Sequence, residues 1–184
     1  MNVSYSLWAE PKGPVRQALE EEIEHLALAH RAPTFTPHIT LLGGISGGVP
    51  EDLVLKRCEQ IADELQAFSV RMTKPAAGNI FHQCVYILCE RDEPLLKAAA
   101  SARRAFGMDD ALSEYMPHVS LIYSDIDQDT RRDIVEAEAD RLGNEEGVLS
   151  QALPIDSITL WRTPVEDKTL KSWTLLKEFS LKKH

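Results

Sequence analysis

Thr36-Pro37-His38-Ile39-Thr40-Leu41 and Met116-Pro117-His118-Val119-Ser120-Leu121 are one pattern written twice in a chain of 184 residues. Each copy reads Pro, His, a β-branched apolar residue, a hydroxyl residue and Leu. A duplication spaced at close to half the chain implies two similar halves, each contributing one copy. Side chains alternate faces along a strand, so His38 and Thr40 share one face while Ile39 and Leu41 take the other. The apolar pair is thereby free to pack against a helix while imidazole and hydroxyl face a groove. His118 and Ser120 repeat the arrangement. A proline before each histidine suits the first residue of a strand, where a missing N–H costs least. A pseudo-twofold relation between the halves would bring both His-hydroxyl pairs to one cleft.

The rest of the chain supplies elements for such halves. Val54, Cys58, Ile61, Leu65 and Phe68 step by three and four through 51–68, a helical stripe. Val15, Leu19, Ile23, Leu26 and His30 form another after Pro14, which suits a first helical turn. Leu95, Ala99, Ala102 and Phe106 make a third after Pro94, and 127–142 carries a weaker fourth on Ile134, Val135 and Leu142. Strand-like runs are 4–9, 38–42, 68–72, 84–89, 118–123, 155–161 and 173–181, rich in Val, Ile, Tyr and Trp and bounded by turn residues. Strands do not alternate one-to-one with helices. The expectation is an α+β fold with antiparallel sheets.

Composition limits the partners. With 43% hydrophobic and 27% charged residues the chain has the make-up of a folded domain. Twenty Lys and Arg against 29 Asp and Glu leave a net charge of −9, which repels long nucleic acid but permits a small phosphate ester held by local donors. No apolar run reaches the roughly 20 residues of a membrane span. The segment 1–10 has no basic region of a secretory signal, so a cytoplasmic protein is expected. Cys84 and Cys89 would lie about 16 Å apart in an extended strand, too far for a bridge, and the three cysteines are expected to be reduced.

Two histidines facing one cleft suit a specific reaction. Displacement at a phosphodiester needs a base on the attacking oxygen and an acid on the leaving oxygen, on opposite sides of phosphorus. An imidazole, with an ordinary pKa of about 6.5, serves in either state near neutrality. Thr40 and Ser120 hydroxyls are suited to donate to the non-bridging oxygens. No metal or other cofactor is required, and neither H-E-x-x-H nor C-x-x-C is present.

The paired H-x-T/S motifs resemble those of the 2H phosphoesterase superfamily, and the chain is most similar to its plant- and fungal-type cyclic nucleotide phosphodiesterases. The likeness extends over the opening Tyr5-Ser6-Leu7-Trp8-Ala9, Phe81-His82-Gln83-Cys84-Val85, Tyr115-Met116-Pro117-His118, and Thr163-Pro164-Val165-Glu166-Asp167-Lys168-Thr169-Leu170 with Trp173. It implies a single domain over 1–184, a bilobal α+β fold of two intertwined, pseudo-symmetric lobes of antiparallel sheet with outer helices around a central cleft. It also implies a monomer that hydrolyses ADP-ribose 1″,2″-cyclic phosphate to ADP-ribose 1″-phosphate, a by-product step of tRNA splicing, and opens nucleoside 2′,3′-cyclic phosphates to 2′-phosphates.

Carried onto this chain, the resemblance makes His38 and His118 the catalytic pair, with the second commonly cast as base and the first as acid, an order open to reversal. Thr40 and Ser120 bind the phosphate, and Tyr123 contacts substrate, which requires the strand to end or bulge before it. Trp8 and Phe81 offer an apolar wall for a base or ribose. Competing readings are an RNA-end-processing relative, such as a 2′,5′ RNA ligase or a 3′ exonuclease, and a nucleotide-binding module without catalysis.

Other features receive plainer expectations. The run 43–48, with four glycines, departs from the plant pattern and reads as a flexible connection or a mobile lid beside His38. His82 is expected at a loop or strand end. Glu20-Glu21-Glu22 reads as a solvated helix face. His25, His30 and His184 read as structural or solvated.

Overall fold

The structure, a computed structural model, describes residues 3–108, 112–145 and 147–183; His184 lies outside them. The strands are β1 (Ser4–Ala9), β2 (Ile39–Ser46), β3 (Phe68–Ile80), β4 (Gln83–Cys89), β5 (His118–Ile122), β6 (Ala152–Ile155), β7 (Ser157–Arg162) and β8 (Thr174–Ser180). The helices are α1 (Pro14–His30), α2 (Glu51–Glu64), α3 (Glu93–Ala105) and α4 (Gln128–Leu142). Each helical stripe read from the sequence contains a helix. The stripe over 51–68 stops being helical at Glu64, with Leu65 as its cap and Phe68 opening β3, and Phe106 caps α3. Pro14 sits in the first turn of α1 and Pro94 in that of α3, where their missing N–H groups are harmless. Asp127 caps α4 by accepting from the Thr130 N–H at 2.9 Å.

The strands join in the order β6-β3-β4-β5-β2-β1-β7-β8, with neighbours antiparallel. The centre of this order is the seam between two four-stranded lobes. Strands β2 and β5 meet there at a single register pair, Ile39 opposite Val119. Outward from the seam run β1, β7 and β8 on one side, and β4, β3 and β6 on the other. Each repeat of the sequence motif therefore supplies the innermost strand of its lobe.

The helices cross over. Helix α1, which precedes β2, packs on β5 of the opposite lobe, and α3, which precedes β5, packs on β2. Ile39, Leu41, Val119 and Leu121 are wholly buried beneath them with Leu19, Leu95 and Ala99. This is the apolar side of the alternation expected from the motif.

Three elements depart from the sequence reading. Strand β2 runs on through Gly43-Gly44-Ile45-Ser46, so most of the glycine run is sheet and not a lid. Leu42 pairs with Leu7 and Ile45 with Tyr5, so three steps on β2 face two on β1: a bulge, with Gly44 at φ 69°. A left-handed residue inside a bulge favours glycine, which accounts for the composition. Gly47 follows because a Cβ there would meet the Val3 carbonyl at 2.4 Å.

Strand β3 continues past Met72 to Ile80 although it contains Pro75 and Gly78. β6 pairs only with 68–71, so the later part of β3 is an edge, where a proline is tolerated. The run 155–161 divides at Asp156 into the ends of β6 and β7.

Cys58, Cys84 and Cys89 are buried free thiols, and burial pushes the Cys58 and Cys89 pKa values up to about 12. Among the described residues no helix is long and apolar enough to cross a membrane.

The acidic run on α1 is not all solvated. Glu22 is 7% exposed and faces Glu138 and Arg141 of α4, and Arg141 donates to both carboxylates. Helical periodicity turns Glu22 onto the same face as Leu19, Ile23 and Leu26, which the charge run conceals. Burial, together with the neighbouring Glu138 carboxylate, pushes the Glu22 pKa up to about 7.

Candidate active site

A cavity of about 390 Å³ opens over the seam. His38, Thr40, His118, Ser120, Tyr123 and Trp8 all line it. Antiparallel crossing at Ile39 and Val119 explains why: the residues before and after each crossing point turn to the same side of the sheet. The side chains that the repeat puts on one face of each strand thus face each other across the two strands.

Both histidines are held in the same way. His38 Nδ1–H donates to the Thr36 carbonyl at 2.7 Å, and His118 Nδ1–H to the Met116 carbonyl at 2.8 Å. A carbonyl can only accept, so each Nδ1 keeps its hydrogen and each Nε2 is the ring nitrogen outside that bond.

Their surroundings differ. His38 is 5% exposed and stacks on Trp8 with ring centroids 3.5 Å apart at 7°. Burial pushes its pKa down to about 4, against the opposing pull of the Thr36 carbonyl and the Glu10 carboxylate. The His118 imidazole is also lowered by burial, partly offset by its Met116 bond, and its ring lies 4.8 Å from that of Tyr86.

Behind Trp8 stands a polar anchor. Trp161 stacks on it at 4.7 Å, and the Trp161 Nε1–H donates to Glu10 Oε1 at 2.9 Å. Thr159 donates to the same oxygen at 2.6 Å, and Arg16 to Oε2 at 3.0 Å. A buried carboxylate with its lone pairs so engaged is a rigid post, and the column Glu10–Trp161–Trp8–His38 fixes the first imidazole. Trp8, 2% exposed, thus offers the cavity little more than an edge.

β5 ends at Ile122, which frees Tyr123 from the strand alternation. Its hydroxyl lies 3.5 Å from His38 Nε2, and its ring stacks on Phe35 at 4.0 Å. Ser120 Oγ donates to the His82 carbonyl at 3.5 Å. Phe81 is not among the residues lining the cavity; it stands behind His82 and Tyr123, with Lys168 Nζ 5.1 Å from its ring centre.

Other lining residues escaped the sequence reading. His82, in the β3–β4 turn, faces the cavity and stacks on Trp173 at 5.8 Å and 15°. Ser6 and Thr163 share a 2.7 Å hydrogen bond at the wall. Arg103, Tyr115, Ile80 and Val165 also line the cavity. Trp173 and Thr163 lie in the segment that carries the family likeness, which was their only signal. Arg103 had none, being one cation on a helix. No group of three or more His, Cys, Asp or Glu side chains that could hold a metal ion occurs among the described residues.

Residues 1–183 match the profile of a protein family described as "Cyclic phosphodiesterase-like protein". The chain belongs to that family. Within it, the chain is 26% identical over 169 residues to a cyclic phosphodiesterase of Arabidopsis thaliana, covering 92% of this chain and 90% of that one. A 2′,3′-cyclic-nucleotide 3′-phosphodiesterase of Yarrowia lipolytica is 30% identical over 158 residues, 66% of this chain and 73% of that one. The same fold occurs in solved structures. The Escherichia coli LigT structure with 3′-AMP superposes with a TM-score of 0.60 at 13% identity, covering 98% of each chain. The Thermus thermophilus protein TT0787 gives 0.64 at 18% identity, covering all of both. The chain is accordingly a member of the cyclic phosphodiesterase-like family with the fold of these two solved structures.

Proposed function

We propose that this enzyme hydrolyses small cyclic phosphates by paired-histidine acid–base catalysis without a metal. Its substrates are ADP-ribose 1″,2″-cyclic phosphate, opened to ADP-ribose 1″-phosphate, and nucleoside 2′,3′-cyclic phosphates, opened to 2′-phosphates. The observation that carries the reading is the pair of imidazoles in one cavity, each with Nδ1 tied to the carbonyl two residues before it. That leaves two Nε2 atoms available to serve opposite sides of one phosphorus.

The step balances simply. One neutral imidazole takes a proton from water as its oxygen bonds to phosphorus. The bond from phosphorus to one ring oxygen breaks, and the second imidazole, protonated, gives that oxygen its proton. Both imidazoles are biased toward neutrality in the free enzyme, so the base is ready. The bound phosphate anion draws a proton onto the other, because a negative charge within a few ångströms favours imidazolium. Thr40 and Ser120 hydroxyls donate to the non-bridging oxygens, which carry the developing charge. Tyr123 bounds the site beside His38, and the stacked His82 and Trp173 take a planar base, with Phe81 backing His82 and Trp8 backing His38.

Hydrolysis of such by-products suits a step downstream of tRNA splicing. The acidic chain disfavours an RNA-tracking role, which needs a positively charged groove. A panel of cyclic phosphates, with product regiochemistry read by phosphorus NMR, tests the reading. Opening of the mononucleotide and ADP-ribose compounds to the stated isomers supports it. Turnover restricted to oligonucleotide ends, or tight binding without turnover, overturns it.

A further inference from the structure

Strand register gives the two imidazoles equivalent aromatic neighbours. On β1 Trp8 stands opposite Thr40, and on β4 Tyr86 stands opposite Ser120. Cross-strand partners point to the same side of a sheet, and a large ring there also reaches the diagonal residue two places along. Trp8 thereby stacks on His38, and Tyr86 meets His118. The sequence repeat conceals this correspondence, because both aromatic residues lie on the neighbouring strands.

The two supports are built unequally. Trp8 lies flat on His38, at 3.5 Å and 7°, and is itself backed by Trp161 and Glu10. Tyr86 meets His118 at 4.8 Å and 51°, and its register partner on β3 is Ala76, a methyl group that cannot extend a column of rings. A second hold takes the place of that column. The Tyr86 hydroxyl points at Met116 Sδ, 3.9 Å away, and the Met116 carbonyl accepts the His118 Nδ1–H at 2.8 Å. Tyr86 therefore touches both the imidazole and the residue that anchors it. At 6% exposure the tyrosine is fixed by the packing around it.

We propose that Tyr86 is a positioning residue for His118, setting the plane of the imidazole so that its Nε2 serves the reacting phosphate. This rests on the paired-histidine reading of the site. Tyr86 is not among the residues lining the cavity, so it acts through the histidine and not on the substrate. An imidazole tied only through Nδ1 keeps freedom to swing about that bond, and a swing carries Nε2 away. The Tyr86 ring limits the swing on one side. A misplacement of about 1 Å is enough to cost about 10²-fold in rate. His38, clamped flat by Trp8, has no such dependence on a single tilted ring.

The test measures kcat and KM for adenosine 2′,3′-cyclic phosphate in the wild type, Tyr86→Leu, Tyr86→Phe, His118→Ala and the double variant Tyr86→Leu/His118→Ala. Tyr86→Leu keeps an apolar side chain but loses the ring, and kcat falls by about 10–10²-fold with KM unchanged. Tyr86→Phe, which keeps the ring, retains most of kcat. Once His118 is gone, Tyr86→Leu costs nothing further, because the two residues act as a unit. A tyrosine that merely fills the fold lowers kcat by the same factor in both backgrounds, and that result overturns the proposal. Wild-type kcat in a folded Tyr86→Leu overturns it equally. If Tyr86→Leu does not fold, Tyr86→Met replaces it, since a flexible methionine fills irregular gaps. The wild type supplies a check free of any variant: Overhauser effects between the Tyr86 and His118 ring hydrogens, whose absence also overturns the proposal. Full activity in His118→Ala overturns the paired-histidine reading instead.

Discussion

Ile39 and Val119 face each other as the sole register pair between β2 and β5 among the described residues, and each directly follows a cavity-lining histidine. Chemistry and packing are thus separated by one residue on each strand. His38→Ala and His118→Ala each lower kcat by about 10²–10⁴-fold, the scale of a positioned acid or base, while circular dichroism shows a folded protein. Ile39→Ala, at a wholly buried position, instead costs about 2–5 kcal/mol in denaturant unfolding. Full activity in either histidine variant would remove the mechanism.

Both imidazoles are held below the ordinary value of about 6.5, His38 at about 4. In a base–acid pair the rate rises as the base deprotonates and falls as the acid deprotonates. Both limbs of the kcat/KM profile therefore lie below 6.5, and the bell is centred on the acid side of neutrality. The limbs belong to the pair and not to single residues. In kcat both limbs move upward, because the bound anion stabilises imidazolium. An alkaline optimum for kcat/KM would contradict this.

Trp8 keeps water from one face of the His38 ring. Trp8→Leu opens that face, weakens the burial that depresses the imidazole, and moves the His38 titration upward. Proton NMR of the ring hydrogens follows the shift directly, and the acid limb of the rate profile follows with it if His38 is the base. An unchanged titration would show that other packing excludes the water.

The hydroxyls are tested separately. Thr40→Val and Ser120→Ala each remove one donor to the phosphoryl oxygens, at a cost of about 10²–10³-fold in kcat by analogy with oxyanion-hole donors. A chelator leaves wild-type turnover unchanged. Loss of activity on chelation, restored by a divalent cation, would replace the histidine scheme.

Glu22 links stability to pH. Its carboxyl is raised from about 4.5 to about 7 by burial and by Glu138, so the folded state holds a proton that the unfolded state releases. The resulting stabilisation is fully present below about 4.5 and is lost as pH rises through about 7. Glu22→Gln flattens that stretch of the curve of unfolding free energy against pH. An equally steep decline in the variant would place the linkage elsewhere.

The catalytic candidates were legible because the repeat fixed two strands, their buried faces and their polar faces at once. The helices were legible from stripes such as Val54, Cys58, Ile61 and Leu65. What stayed hidden depended on tertiary context. The strand-like run 68–72 stops short of Pro75, and only the short length of β6 makes the rest of β3 an edge that takes a proline. Gly43 and Gly44 read as a loop, since a bulge is defined by its partner strand. Glu22 looked solvated because its partners lie on α4. Arg103 and His82 entered the cavity through packing that no local pattern records.

The crossed helices have a consequence for how this protein comes into being. With α1 resting on β5 and α3 resting on β2, either half synthesised alone would lack the cover for its own innermost strand. Severed fragments divided near residue 66 should remain inert apart and regain hydrolysis when mixed. Turnover is then a reporter of completed assembly, since no half-built intermediate can grip the reacting atom from both sides.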